Sequence, residues 1–100
     1  MTQNFDEYLT ADARLTILKE LTKQPAGCLN EVIITGVLDI FGHHRSRDWV
    51  RTQLRKMEEL GAVRLSQTGS VLVATVTRAG IDHVERRSVI EGVARPSPEA

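Results

Sequence analysis

The stretch that decides the fold is SRDWVRTQLRKMEELGAVRLSQTGSVLVATVT, which covers residues 46–77. Ser46 is a favourable helix N-cap and Gly61 is a favourable residue just past a helix end, so a helix is predicted over 46–60. Three apolar side chains recur at i, i+4 and i+7 along it and should face the core: Val50, Leu54 and Met57.

Two short segments after this helix have the composition of strands. Residues 63–66 and 71–76 are rich in Val and Leu, and the turn sequence Gln67-Thr68-Gly69-Ser70 separates them. This pattern predicts a β-hairpin. Thr77 can cap a further helix that runs to Arg87.

Two more helices are predicted before residue 46. Asn4 can start the first in the manner of a capping box, Thr10 and Asp12 offer a second possible start, and this helix includes residues 12–23. Asn30 caps the second, which ends at Gly42. The β-branched run at 32–35 would also suit a strand, but the flanking cap and stop residues favour a helix.

The order of the predicted elements is three helices, a two-stranded hairpin and a last helix. It is the order of a winged helix-turn-helix domain, mostly α with a hairpin, in which the third helix faces DNA and the hairpin is the wing. One hundred residues support one hydrophobic core, so we predict a domain over 1–92 and a flexible tail over 93–100.

Seven motifs spread over most of the chain carry a resemblance to a known family. They are Arg14-Leu15-x-Ile17-Leu18, Leu29-Asn30-Glu31, Phe41-Gly42-His43, Ser46-Arg47-Asp48-x-Val50-Arg51-Thr52-x-Leu54, Glu58-Glu59-Leu60-Gly61-x-Val63, Thr75-x-Thr77-x-x-Gly80 and Arg95-Pro96-Ser97-Pro98. The chain resembles the small winged-helix proteins of Mu-like phages and prophages, which are often labelled ArsR-like. The resemblance implies a phage-encoded DNA-binding protein. A metal-sensing ArsR protein would also carry a Cys-rich segment or clustered His and Asp, which this sequence lacks.

Cations gather at the start of the predicted third helix, the element that this fold presents to DNA. Arginine neutralises phosphate and can bond a guanine edge with two hydrogen bonds, while hydroxyl groups can donate to phosphate. The candidate DNA-binding residues are Arg45, Ser46, Arg47, Arg51, Thr52, Arg55, Lys56 and Arg64. We therefore predict a double-stranded DNA-binding protein, a phage or prophage transcriptional regulator with its third helix in the major groove.

A protein-interaction adaptor that keeps the fold without binding DNA is the alternative. Thirteen Lys and Arg balance thirteen Asp and Glu, so the net charge is zero. On a solvated helix face, Arg51 and Arg55 would pair with Asp48, Glu58 or Glu59 at helical spacing. The two functions differ in whether the arginine face is free or neutralised.

Other function classes lack their signatures in this sequence. There is no nucleophile with a base, no glycine-rich phosphate loop and no pair of carboxylates in a catalytic context, so an enzyme is not expected. The three histidines and Cys28 lack metal-ligand spacing, so neither metal nor cofactor is expected. Cys28 is expected to be a small buried residue and Trp49 a core residue. No small-molecule effector is identifiable.

A homodimer is expected, because two half-sites raise the effective affinity of a small DNA-binding domain. The apolar surface offered for it consists of Phe5, Tyr8, Leu9, Ile81 and Val84. The apolar run over 32–38 is far shorter than the roughly twenty residues of a membrane helix. With no signal-like start either, a cytoplasmic protein without a membrane segment is expected.

Overall fold

The computed structural model describes residues 4–98. The elements in this range are α1 (Phe5–Thr22), β1 (Cys28–Asn30), α2 (Glu31–Ile40), α3 (Arg47–Glu59), β2 (Val63–Thr68), β3 (Val71–Val76) and α4 (Arg78–Val84). The strands form an antiparallel sheet in the order β1-β3-β2. The result is a compact α+β fold that is compatible with a winged-helix arrangement.

Each of these helices begins at a side chain that caps its backbone. The side-chain oxygens of Asn4, Asn30, Ser46 and Thr77 accept a hydrogen bond from the backbone N–H three residues further on. At Asn4 the carboxylate of Glu7 also accepts from the Asn4 N–H, which completes the capping box. The helix starts that the cap residues predicted are therefore confirmed.

The core lies between α1, α2, α3 and one face of the sheet. The residues predicted to face inward from α3, Val50, Leu54 and Met57, are fully buried. Buried partners come from α1, α2 and β3: Leu18, Leu21, Ile34, Leu38 and Ala74. Trp49 is half-buried and packs against this core from its edge.

The sequence pattern did not reveal β1. Its three residues pair with β3, with Cys28 opposite Thr75 and Asn30 opposite Val73. A strand of three residues is too short to produce a visible alternation of apolar and polar positions. The pairing leaves Cys28 half-buried at the sheet edge, so the expectation that it is a small buried residue is wrong.

The last helix is shorter than expected, and the chain after it stays packed. Helix α4 ends at Val84 instead of Arg87 because Arg86 turns into the left-handed region at φ 64°. Beyond it, Val93 is buried, and the Ala94 N–H donates to the Ala11 carbonyl on α1. Packing thus continues past the boundary expected at residue 92.

Two glycines in helices have opposite surroundings. A Cβ on Gly80 would lie 2.5 Å from the Ala62 carbonyl oxygen and 2.8 Å from Val76 Cγ2, whereas a Cβ on Gly36 would meet nothing within 4 Å. Gly80 therefore lets α4 approach the chain just before β2. Gly36 has no such packing role within the described part of the chain.

These surroundings predict opposite effects of the same substitution on the free energy of unfolding. Gly80→Ala should lower it by about 1–3 kcal/mol through overpacking. Gly36→Ala should raise it by about 0.5–1 kcal/mol, because alanine restricts the unfolded chain and favours a helix. Urea denaturation of the two variants beside the wild type measures both. Equal effects would contradict the close approach at Gly80.

Candidate nucleic-acid interface

A buried carboxylate lies beneath the surface that the sequence singled out. Glu31 is the first residue of α2 and is completely inaccessible to solvent. It shares the inward face of α2 with Ile34 and Leu38, three and seven residues further on. A buried carboxylate needs charged or hydrogen-bonding partners to remain ionised.

Two arginines of α3 and one backbone amide of β3 supply these partners. Arg47 Nε lies 2.9 Å from Glu31 Oε1, and Arg51 Nη1 lies 3.0 Å from Glu31 Oε2. The Leu72 N–H donates to the same carboxylate. Glu31 therefore ties the start of α2, the first half of α3 and the hairpin together.

The partners of Glu31 also set its pKa. Burial by itself raises the pKa of this carboxyl group and is the largest single effect. The hydrogen bonds from Arg47 and Leu72, together with the positive charges of Arg47 and Arg51, outweigh it and hold the pKa below its ordinary value. Glu31 is thus an ionised group in the interior.

The same two arginines hold the hairpin turn. The Ser70 carbonyl, in the turn between β2 and β3, accepts from Arg51 Nη1 at 3.2 Å and from Arg47 Nη2 at 3.4 Å. Each guanidinium group therefore bridges Glu31 and the hairpin turn. This arrangement fixes the hairpin against the first half of α3.

The other candidate cations have different surroundings. Arg45 stacks its guanidinium group on the Trp49 ring, 4.6 Å from the centroid. Lys56 lies 3.7 Å from a carboxylate oxygen of Glu59. The side chain of Arg55 is exposed and has no hydrogen bond or ion pair with any residue between 4 and 98.

Of the three remaining candidate residues, two use their hydroxyl groups to bond the backbone of α3, and one lies on β2. The Ser46 hydroxyl accepts the capping bond from the Trp49 N–H, and the Thr52 hydroxyl donates to the Asp48 carbonyl. Arg64 is opposite Thr75, four register positions from the hairpin turn. It is therefore near the base of the hairpin, apart from the arginines that hold the turn.

The alternative, in which acids of α3 itself neutralise Arg51 and Arg55, is not what the structure contains. Arg51 pairs with Glu31 of α2, twenty residues away, instead of with Asp48. Glu58 accepts from the Leu65 N–H of β2. The sequence did carry a signal for Glu31, because the spacing 31, 34, 38 puts this glutamate on an apolar helix face.

The two adjacent histidines have different surroundings. His43 is buried and bonds Asp12 at 2.8 Å, whereas His44 is exposed and bonds Asp39, so the two neighbours have separate partners. Residues 4–98 contain no group of three potential metal ligands. No helix in this range has the length and apolar character needed to cross a bilayer.

The fold and this surface define a small α+β protein whose hairpin is fastened to an arginine-bearing helix. The chain belongs to the family of the uncharacterized protein gp26 of Escherichia phage Mu. It is 38% identical to that protein over 98 residues, which cover 95% of this chain and 98% of gp26. An uncharacterized protein of Haemophilus influenzae is 38% identical over 76 residues, covering 75% of this chain and 74% of that protein. No family model and no solved structure matches the chain.

The charge on Glu31 predicts a dependence of stability on pH. A carboxyl pKa that is depressed by folding contributes stability above the unfolded value, and this contribution is lost as the pH falls through the folded value. Glu31→Gln keeps the shape and an acceptor for Leu72 but removes the charge. At pH 7 it should lower the free energy of unfolding by about 1.5–3 kcal/mol, since charged hydrogen bonds are lost.

The difference between wild type and Glu31→Gln should shrink as the pH drops below the ordinary value of 4.5. Denaturant unfolding from pH 7 downward measures this difference. Glu59→Gln is the matched control, because it makes the same chemical change at an exposed position of α3. A constant difference at all pH values would contradict an ionised Glu31.

Proposed function

We propose that this protein is a winged helix-turn-helix protein that binds double-stranded DNA and acts as a phage or prophage transcriptional regulator. In this proposal α3 enters the major groove and the β2–β3 hairpin is the wing beside it. The support comes from the order of the elements, from the charge around the first half of α3, and from the exposed side chain of Arg55.

The charge along the chain from Arg45 to Arg55 remains positive after Glu31 is counted. Residues 45–55 contain four arginines and one acid, Asp48, so the addition of Glu31 leaves a net charge of +2. Glu58 and Glu59 lie in the last turn, away from the end of a recognition helix that contacts bases. The neutral total of the chain therefore conceals a local excess of cations.

Arg55 is the residue on which the proposal depends most. Its side chain points to solvent and is unpaired among the described residues, so binding a phosphate or a base would break no contact there. Arg47 adds to it, because 44% of its side chain stays accessible while it bonds Glu31. The contacts of Arg47 and Arg51 to Ser70 support a preformed surface of helix and hairpin.

We propose further that the protein binds DNA as a homodimer. Phe5 and Tyr8 stack on each other at the start of α1 with 71% and 55% of their surfaces exposed. The other residues expected in this surface contribute less, since Leu9 and Ile81 are half-buried and Val84 packs against the core. Light scattering at tens of micromolar distinguishes a dimer from a monomer. Tyr8→Glu should shift the mass toward the monomer, and a monomeric wild type would contradict the dimer.

A protein-interaction adaptor is the second candidate, and the outward face of α2 favours it. Val32, Ile33 and Ile40 are exposed on either side of Gly36, and Phe41 extends the patch. Helix α2 carries no Lys or Arg that would contact phosphate. An apolar patch of this kind on a small protein is typical of a surface that binds another protein.

Arg55→Ala tests DNA binding without disturbing the Glu31 cluster. Fluorescence anisotropy with random duplex DNA at several salt concentrations measures the affinity and its salt dependence. Loss of one phosphate contact should weaken binding at low salt and reduce the log–log slope by about one. An Arg47 variant would be a poorer test, because it also removes a partner of Glu31.

Lys19→Ala is the control, because it removes one cation from a different helix, α1. It should leave both the affinity and the slope as in the wild type. If Arg55→Ala and Lys19→Ala behave alike, α3 is not the binding surface. Absence of binding by the wild type at low salt would favour the adaptor.

A further inference from the structure

A cavity of about 290 Å³ lies at the end of α4, between that helix and the C-terminal segment. Three arginines line it, Arg86, Arg87 and Arg95, together with Ser88 and the apolar side chains of Val89 and Pro96. Its described lining contains no Asp or Glu. The proposed DNA-binding function makes no use of this cavity.

A buried histidine fixes the walls of this cavity. His83 is 1% exposed, and its Nδ1 accepts from the Ile90 N–H at 3.0 Å. With that assignment its Nε2 donates to the Ala94 carbonyl at 2.8 Å. Both ring nitrogens therefore bind the segment that follows α4, so the cavity is part of the folded structure and not a gap beside a loose end.

Two of the three arginines are available to a ligand. Arg87 is taken by two carboxylates, because its Nη2 lies 2.7 Å from Asp82 and its Nη1 bonds Glu85. Arg86 and Arg95 are exposed and have no ion pair with residues 4–98. Arg87 is outweighed by its two carboxylates, so the five charged groups at this end of α4 give a net charge of +1, and Arg86 and Arg95 are the two cations that no described carboxylate pairs.

The backbone at Arg86 is unusual and has no packing reason. Among the described residues it alone has a positive φ without being glycine. The Arg87 N–H donates to the Asp82 carbonyl across it, which is the bonding of a helix end where glycine is strongly preferred. The Arg86 side chain is exposed, so it is not a core residue whose burial would offset this backbone cost. Strained residues of this kind cluster at functional sites.

We propose that this cavity binds the phosphate group of a small phosphorylated molecule through Arg86 and Arg95. Guanidinium groups match the geometry of phosphate oxygens, and a phosphate monoester has a charge that approaches −2 and three terminal oxygens that can accept hydrogen bonds from both unpaired arginines. A carboxylate offers only two oxygens and a single charge. The Ser88 hydroxyl is a further donor in the lining.

The size of the cavity limits the ligand. Its volume is at the lower end for small-molecule sites, which suits a phosphate with a small organic group. Val89 and Pro96 offer that group an apolar wall. Free phosphate has the same anionic chemistry but lacks a group that would contact this wall. Comparing its affinity with that of a phosphate ester therefore distinguishes the two ligands.

Calorimetric titration of the full chain with inorganic phosphate, ribose 5-phosphate and ribose at matched ionic strength tests the proposal. We expect saturable binding of the two phosphate compounds and none of ribose. Tighter binding of ribose 5-phosphate identifies an organic ester as the ligand, and equal binding identifies free phosphate. No saturable binding of either compound would overturn the proposal.

Arg86→Gly is a more specific test than the titration alone, because it should stabilise the fold while it removes a proposed ligand contact. We expect the melting temperature to rise by about 4–8 °C, since glycine relieves the positive φ. Phosphate affinity should fall at least tenfold. Wild-type affinity in this variant, or a lower melting temperature, would overturn the proposal.

Two further variants separate a specific ligand contact from a general effect of charge. Arg95→Ala should also weaken phosphate binding at least tenfold, without a change at the strained position. Arg78→Ala removes an exposed cation from the other end of α4 and should bind as the wild type does. Equal weakening by Arg78→Ala and Arg95→Ala would indicate a general charge effect and overturn the site. DNA anisotropy on the same samples reports separately on the proposed function.

Discussion

The Glu31 carboxylate is the constraint on which the arrangement of α2, α3 and the hairpin depends. It is buried, so its charge is stable only while Arg47, Arg51 and the Leu72 N–H remain around it. Three separate elements must therefore meet at one point. Apolar packing alone tolerates small shifts between elements, but bonds to a buried charge have fixed lengths and directions.

This constraint divides the arginines of α3 into two groups. Arg47 and Arg51 have a structural role, since each bridges Glu31 and the Ser70 carbonyl. Arg55 has no such contact in the described chain and is free for a partner. A row of arginines four residues apart therefore does not act as one uniform surface, although it looks uniform in the sequence.

Local signals in the sequence predicted most of the fold, and long-range contacts account for what they missed. Caps at Asn4, Asn30, Ser46 and Thr77 predicted the helix starts because a cap acts within three residues of itself. The strand β1 depends on pairing with β3, more than forty residues later, and had no local pattern. The pairing of Arg51 with Glu31 likewise joins two helices. Side-chain type and helical spacing cannot by themselves identify such a partner.

The return of the C-terminal segment to α1 has a consequence for folding order. The Arg14 guanidinium donates to the Gly92 carbonyl across 78 residues of chain, and Ala94 bonds Ala11 beside it. Contacts between distant parts of a chain require the closure of a long loop, so they form late unless the intervening chain is already ordered. Arg95 and Pro96, which line the cavity beside α4, directly follow this contact, so a ligand bound at the proposed site would also stabilise the attachment of the chain end to α1.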